Sequence, residues 1–378
     1  MPRWLYSFLG MAVVAPAIDL IWGLQQAPLA IFICTTLALI PLAALIGRAT
    51  EDLEYYVGPI AGGLLNATFG NAPELIIGFF ALNAGLLEVV KASLTGSIIS
   101  NSLLVLGSSL ALGGWRWGRQ YFSARDAGQF SAMMLLAVAG LLIPTAGSLV
   151  IHHQDRLQSM SVAISVVLLV VYALYLLAHV FRLRSERRNP TRRSNTAKLP
   201  PLEQAEDGEE DLAVTGGLPA APRTPPKLWI TLAILLVATL GTAWNSELLV
   251  GAITPVTHLL GWSPIFVGLV IIPIVGNAAE HSSAIYIALR DRVDLSMAIA
   301  AGSSIQVATF VAPVLVIASV FLTHRLDLVF QPLELVILGV AVLLFSVVSL
   351  DGESSWLAGV QMVTVYLIAC IVFFFIPG

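Results

Sequence analysis

The chain has 378 residues, of which 57% are hydrophobic and only 11% charged, and its mean hydropathy is +0.88. Soluble domains carry about 25% charged residues, so this composition excludes an ordinary water-soluble globular protein. The net charge of −4 is dominated by one polar segment and suggests no nucleic-acid partner, and Cys34 and Cys370 both lie in apolar runs that favour packing over disulfide or metal roles.

Apolar runs follow one another along the chain, and several reach the roughly 20 residues that a helix needs to cross a bilayer. The runs are continuous rather than alternating, which makes β-sheets improbable. The pattern therefore predicts an all-α polytopic membrane protein with about 11 transmembrane helices. The predicted segments are 5–24, 27–47, 57–84, 87–113, 126–150, 159–182, 227–245, 263–289, 295–322, 333–350 and 355–376.

Two of these segments allow alternatives. The first follows Arg3, and residues 15–17 (Ala-Pro-Ala) resemble a signal-peptide cleavage site, but the apolar run continues to Leu24 and favours an uncleaved helix. The stretch from Ser246 to Gly261 either extends the seventh helix or forms a separate amphipathic piece.

The basic residues predict the orientation. With the N-terminus in the cytoplasm and alternating spans, 16 of the 19 Lys and Arg residues face the cytoplasm. Only Lys91, Arg156 and Arg325 then lie outside, as the positive-inside rule requires. The opposite orientation would invert this ratio.

One long polar segment divides the chain. It begins basic, becomes acidic and ends rich in Pro, Gly and Ala, which is typical of disorder. The predicted organisation is an extra N-terminal helix (1–25), a first repeat half (26–183), a cytoplasmic acidic linker (184–226) and a second repeat half (227–378).

The two halves share a motif. Residues 70–74 (Gly-Asn-Ala-Pro-Glu) reappear as residues 276–280 (Gly-Asn-Ala-Ala-Glu), an offset of 206 residues, and Gly96-Ser97 reappears as Gly302-Ser303 at the same offset. The predicted topology sends the two motif helices across the membrane in opposite directions. We therefore predict two inverted-topology five-helix repeats, an architecture of many secondary transporters.

Glu74 and Glu280 are the matched acids of this repeat, and both fall near the middle of predicted membrane segments. A charge at the bilayer centre costs at least ~2.5 kcal/mol. Since neither motif segment carries a deep Lys or Arg to pair with them, a functional role is favoured over a structural ion pair.

The surrounding residues predict an oxygen-rich cation site. Carboxylates, amide carbonyls and backbone carbonyls freed beside glycine suit Ca²⁺, a hard cation that takes about 6–8 oxygen ligands. Without a thiolate, Zn²⁺ and Cu⁺ are disfavoured. The predicted metal ligands are Glu74, Glu280, Asn71 and Asn277, and the predicted lining is Gly70, Gly276, Ser97, Asn101, Ser303, Ser304 and Gln306.

The same two carboxylates predict coupling to protons. With one Ca²⁺ or two protons the pair is near neutral, whereas the empty pair carries two negative charges in a low dielectric. Crossing the membrane empty is then disfavoured, and exchange follows. His281 directly follows Glu280 and is either a proton-coupling residue or a hydrogen-bond anchor.

Other acidic residues give weaker indications of a functional role. Glu51, Asp52 and Glu54 lie on the predicted inner side and Glu247 near the outer side, where they are candidate entrance acids or solvated helix ends. Glu334, Asp351 and Glu353 are predicted to be interfacial.

The motifs resemble those of the Ca²⁺/H⁺ antiporter family, the cation/proton exchangers of the wider Ca²⁺/cation antiporter superfamily. GNAPELIIGFFAL, followed by ASLTGSIISNSLLVLGSSLALGG, resembles one signature of that family, and GNAAEHSSAIYIALRDRVDLSMAIAAGSSIQVATFVAPVLVI resembles the other. The resemblance covers nearly the whole chain. It implies proton-driven Ca²⁺ export or sequestration, with Glu74 and Glu280 as the carboxylates shared by Ca²⁺ and protons.

The expected protein is thus an antiporter with Ca²⁺ as transported substrate and no cofactor, not an enzyme. Its expected surroundings are the lipid bilayer, in a bacterial-type cell membrane, and a homo-oligomer is compatible with the sequence. The alternative is a Na⁺ or K⁺/H⁺ antiporter on the same scaffold. A channel or an intramembrane enzyme is less favoured, because a symmetric pair suits a carrier and no Ser-His or HExxH pair lies in the membrane segments.

Overall fold

A computed structural model of the chain describes residues 3–57, 65, 68–188 and 226–376, and these are almost entirely helical. Most of the predicted linker, residues 189–225, lies outside them. The helices are α1 (Met11–Trp22), α2 (Pro28–Val57), α3 (Ala72–Asn83), α4 (Leu87–Trp117), α5 (Ala124–Ser148), α6 (Gln154–Arg188), α7 (Leu228–Leu260), α8 (Pro264–Gly276), α9 (Ala278–Ala288), α10 (Val293–Ser319), α11 (Pro332–Val348) and α12 (Trp356–Phe374).

Seven of the described helices are long and apolar enough to cross a membrane: α2, α4, α5, α6, α7, α10 and α12. An eighth span is formed when α8 and α9 are counted together, although they bend by 61° at their junction. The other apolar helices, α1 (extended to Ser7), α3 and α11, are shorter than these. The prediction of a helical membrane protein is confirmed by this architecture.

The structure decides the alternative at residues 246–261. Helix α7 runs without a break from Leu228 to Leu260, so this stretch extends the seventh helix. Gly261 ends the helix in the left-handed conformation with φ of 68°, which costs glycine little because it lacks a Cβ.

The loops meet in two separate groups. In the first, β1 (Gln120–Tyr121), after α4, pairs antiparallel with β2 (Glu353–Ser354), between α11 and α12. The Trp117 indole also donates to the Leu289 carbonyl at 3.0 Å. This two-residue ladder departs from the expectation of no sheet, because two adjacent loops can pair their backbones outside the helices.

The second group surrounds residues 320–331, between α10 and α11. Lys91 of α4 forms a salt bridge with Asp327, the Ser161 hydroxyl accepts from the Leu328 amide at 3.0 Å, and Thr145 accepts from the Phe330 amide at 3.0 Å. The helix ends in this group are opposite to those in the first group. Helix α4, for example, begins here and ends at the first group, while α5 begins at the first group and ends here. The contacts therefore agree with the predicted alternation of spans.

Glycines allow the central helices to touch. A Cβ on Gly96 of α4 would lie 2.3 Å from the Leu269 carbonyl oxygen of α8, and one on Gly268 would lie 2.8 Å from the Val89 carbonyl oxygen. Small residues at such a crossing permit close backbone approach in a membrane bundle. This crossing holds the start of the second motif against α4.

Helix α7 packs along α2, and α1 packs against both. The Asn245 amide of α7 donates to the Ala12 carbonyl of α1 at 3.2 Å and to the Gly241 carbonyl at 2.9 Å. Pro16 lies four residues after Ala12 and has no N–H, so the helix itself cannot satisfy the Ala12 carbonyl. Asn245 supplies the missing donor from a neighbouring helix.

Candidate cation site

A new helix begins at the same place in both motifs, directly after the asparagine. Asn71 precedes α3 with φ of −96° and ψ of 16°, and Asn277 precedes α9 with φ of −95° and ψ of 9°. The helices that follow begin at Ala72 and Ala278, again 206 residues apart. The sequence repeat is therefore also a repeat of backbone geometry.

Local sequence explains these breaks. Pro73 lies within the first two positions of α3, where its missing N–H costs nothing. Gly276 ends α8, and Pro273 lies in that last short helical segment. The prediction that glycine and proline loosen the motif helices agrees with this geometry.

The two glutamates lie at the N-terminal ends of α3 and α9. Glu74 and Glu280 are in the first turns of α3 and α9, because a new helix begins after the asparagine of each motif. Glu280 still lies near the middle of the bent span that α8 and α9 form together. First-turn amides carry a partial positive charge, so this position favours carboxylates.

The two carboxylates approach each other. Glu74 Oε1 would lie 3.0 Å from a Cβ at Gly276, so this carboxylate packs against the end of α8, next to the turn that leads to Glu280. Glu280 is close enough to act on Glu74 electrostatically. The side chains are half-buried, and the Oε2 atom of each is buried without a hydrogen-bond partner in the described part of the chain.

The motif asparagines each donate across the repeat boundary. Asn71 donates from Nδ2 to Gln306 Oε1 of α10, and Asn277 donates from Nδ2 to Ser97 Oγ of α4 at 3.2 Å. Asn277 also donates to the Pro273 carbonyl at 3.1 Å. These donations fix the orientation of both amides, and Oδ1 of Asn71 is buried without a hydrogen-bond partner among the described residues.

The long helices α4 and α10 each contain a π-helical segment beside the site. The segments span Ser100–Val105 and Val307–Val311. Such segments interrupt the regular hydrogen-bond ladder and often occur at functional sites. The first segment begins three residues after Ser97, and the second four residues after Ser303.

His281 belongs to a separate chain of contacts. Its Nε2 lies 3.1 Å from Asn101 Oδ1, and Asn101 Nδ2 donates to Ser303 Oγ at 2.9 Å. Ser303 is close enough to Glu280 to interact with its carboxylate. Ser304 lies beside these residues with its hydroxyl 3.5 Å from that of Ser102.

Most of the predicted site residues are therefore buried together around the two helix starts. Gly70 lies in the turn before Asn71, and Gly276 lies against Glu74. The candidate entrance acids are elsewhere: Glu51 and Glu54 are half-buried in the last two turns of α2, and Glu247 is exposed on α7. Their role at an entrance stays a prediction.

Sequence reasoning missed one buried acid. Glu334 was predicted to be interfacial, but its side chain is 1% exposed and accepts a hydrogen bond from Thr95 at 3.1 Å. It lies in the first turn of α11, packed against α4, which only the tertiary structure reveals. Pro332 at the start of that helix was the sequence signal that Glu334 falls inside it.

Comparisons with known proteins cover nearly the whole chain. A model of the family described as sodium/calcium exchanger protein matches residues 27–181 and 230–375. A Ca²⁺/H⁺ antiporter of Aphanothece halophytica is 41% identical over 98% of this chain and 96% of its own length. One from Synechocystis is 45% identical over 92% of this chain and 91% of its own length.

Solved structures agree with these relatives. The structure of native YfkE matches with a TM-score of 0.78 and 35% identity, over 98% of this chain and 100% of its own. The crystal structure of the H⁺/Ca²⁺ exchanger CAX matches with a TM-score of 0.69 and 17% identity, over 98% of this chain and 91% of its own, which supports the fold alone.

Proposed function

The chain belongs to the sodium/calcium exchanger protein family, and we propose from this and from its site that it is a secondary active antiporter exchanging Ca²⁺ for H⁺ across a membrane. The observation that carries the proposal is the pair of glutamates at two matched helix starts, each with one buried carboxylate oxygen that has no partner among the described residues. Buried carboxylate oxygens without a donor are suited to receive a cation or a proton.

Charge accounts for the exchange. One Ca²⁺ or two protons neutralise Glu74 and Glu280, so the two cargoes compete for one site. The empty pair retains two negative charges in a medium of low dielectric, where repulsion between them is strong. Movement of the empty site across the membrane is thereby disfavoured, and each direction of movement requires a bound cargo.

The proposed ligands extend beyond the carboxylates. Asn71 and Asn277 direct their Nδ2 groups to Gln306 and Ser97, which supports a role for the opposite end of each amide as an oxygen ligand. An oxygen-only donor set suits Ca²⁺ and needs no cofactor. Gly70, Gly276, Ser303 and Ser304 complete the proposed lining of the site.

The proposed transport mechanism is alternating access between two inverted repeats. The matched breaks before α3 and α9 and the two groups of loops support this layout. The eight candidate spans and three shorter apolar helices together supply the proposed 11 crossings. Discontinuous helices at a repeat interface are the usual setting of transporter ion sites.

The same topology gives the proposed orientation, with the N-terminus in the cytoplasm of a bacterial-type cell. Five basic residues lie in or beside the first group of loops and three lie in or beside the second: Arg116, Arg119, Arg125, Arg290 and Arg292, against Lys91, Arg156 and Arg325. The excess of basic residues on the first side supports a cytoplasmic assignment for that side.

The alternative of a Na⁺ or K⁺/H⁺ antiporter is not favoured. A monovalent ion would leave the glutamate pair with one negative charge, and two relatives that cover 98% and 92% of the chain are named as Ca²⁺/H⁺ antiporters.

The decisive variants are Glu74→Gln and Glu280→Gln, each reconstituted in vesicles and assayed for Ca²⁺ uptake driven by a proton gradient. Each should lower uptake by about 100-fold or more, because loss of a residue that only orients a metal ligand costs about 10–100-fold in affinity and loss of a direct ligand costs at least as much. The matched control is Glu334→Gln, which alters another buried carboxyl and should keep most of the activity. Full transport by either site variant would show that the site is wrong, and uptake of Na⁺ but not Ca²⁺ by the wild type would revive the alternative.

A further inference from the structure

Three buried side chains connect one helix of the first repeat with two helices of the second. Asn101 of α4 donates from Nδ2 to Ser303 of α10, and its Oδ1 lies 3.1 Å from Nε2 of His281 on α9. Asn101 and Ser303 are each 1% exposed and His281 is 8% exposed, so water competes little for these contacts. Ser303 in turn is a close neighbour of Glu280.

The hydrogen bonds that link His281, Asn101 and Ser303 all run in one direction from donor to acceptor. Asn101 donates its amide N–H₂ to Ser303 Oγ, which leaves the single hydroxyl hydrogen of Ser303 for another acceptor, and the carboxylate of Glu280 is a close neighbour. Because the N–H₂ group of Asn101 is used there, Asn101 Oδ1 is the atom that accepts from His281. The hydrogen on that last contact then belongs to Nε2 of His281.

At the equivalent positions around Glu74, the residues that would form this series of hydrogen bonds are replaced. At the offset of 206 residues, Asn101 corresponds to Val307 and His281 to Leu75, and neither aliphatic side chain can form a hydrogen bond. Ser97, which corresponds to Ser303, accepts from Asn277 instead. The two glutamates are thus matched in backbone position but differ in support.

We infer that His281 and Asn101 are positioning residues, which aim the Ser303 hydroxyl at Glu280 and hold that carboxylate ready for a divalent cation. The inference rests on the proposed function and assigns His281 a donor role through Nε2 rather than a role as proton carrier. Residues that orient a metal ligand through hydrogen bonds commonly change metal affinity by about 10–100-fold when they are removed.

The test measures Ca²⁺ binding to the purified full-length protein by titration calorimetry with CaCl₂. His281→Leu, which installs the residue of the first repeat, and Asn101→Leu should each weaken binding about 10-fold. His281→Gln retains an N–H donor and should bind within about 2-fold of wild type. The double variant His281→Leu/Asn101→Leu should be no weaker than either single variant, because both remove the same chain.

Thr309→Val is the matched control, since Thr309 is a buried hydroxyl on α10 that donates to the Ile305 carbonyl within its own helix. Unchanged binding in His281→Leu, equal losses in His281→Gln and His281→Leu, or additive losses in the double variant would each overturn the inference. Proton-driven uptake is measured in parallel. A wild type that binds Ca²⁺ without exchanging it for protons would end the proposed function, whereas the binding series would still decide the positioning role.

Discussion

At the scale of single residues, the site depends on glycines, which let helices approach closely, as much as on its polar side chains. Gly96 is the clearest case, because a Cβ there would lie 2.3 Å from the Leu269 carbonyl oxygen and 2.7 Å from the Leu269 Cα. Backbone atoms cannot rotate away as a side-chain end can. Helices α4 and α8 would have to separate, and with them Ser97 and the turn at Asn277.

We therefore expect Gly96→Ala to destabilise the protein by about 1–3 kcal/mol, the usual cost of overpacking. The measurement is chemical unfolding of the purified protein in detergent. Gly339→Ala on α11 is the control, because a Cβ at that position meets no atom within 4 Å. Equal stability of the two variants would contradict the close crossing of α4 and α8.

The acids of the site could be predicted from the sequence, but its hydrogen bonds could not. Glu74 and Glu280 stand out because a charge in an apolar run is costly and because the repeat marks both. The bond from Asn101 to Ser303 joins residues 202 apart, and the one from His281 to Asn101 joins residues 180 apart. Side-chain pairing at such separation depends on helix packing, which no local pattern encodes.

At the scale of helices, periodicity and hydropathy predicted most elements, and the errors have local causes. Helices α3 and α9 begin only after Asn71 and Asn277, and in the second motif hydropathy alone joined two short helices, α8 and α9, into one span. Helix α7 continued through the polar residues Asn245, Ser246 and Glu247, because a helix satisfies its own backbone whatever its side chains.

The docking of α1 gives a prediction at this scale. Asn245→Leu should remove the donor to the Ala12 carbonyl, which Pro16 leaves without its helical partner. Hydrogen–deuterium exchange of the amides in α1 should then quicken by about 3–10-fold, because one hydrogen bond contributes ~0.5–1.5 kcal/mol.

Thr364→Val is a suitable control for that exchange experiment, since Thr364 is on α12 and donates to the Val360 carbonyl of the same helix. Unaltered exchange of α1 in Asn245→Leu would mean that apolar packing alone holds this helix.

At the scale of the whole molecule, the two groups of loops define two ends. Arg119, whose side chain is 71% exposed, pairs with Glu353 at one end, and Arg325, 60% exposed, lies near Asp155 at the other. The count of basic residues predicted this separation before any contact was known, since loop charge and bilayer alternation do not depend on packing.

The orientation can be measured by labelling introduced cysteines in intact cells with a membrane-impermeant maleimide. The background protein has Cys34 and Cys370 replaced by serine and serves as the control. Arg325→Cys should be labelled in intact cells, and Arg119→Cys only after permeabilisation. Labelling of both positions in intact cells, or the reverse pattern, would refute the proposed topology.

The near-identical backbone angles at Asn71 and Asn277 have a consequence for the energy of the transport cycle. If each half can adopt the shape of the other, the inward-open and outward-open states are related by an approximate two-fold rotation about an axis in the membrane plane, and they have similar free energies. Near the site, the bias between them must then arise at unequal positions such as Leu75 and His281, or Val307 and Asn101. These few differences between the halves would determine which of the two states the empty transporter favours. The proton gradient would supply the free energy that drives transport.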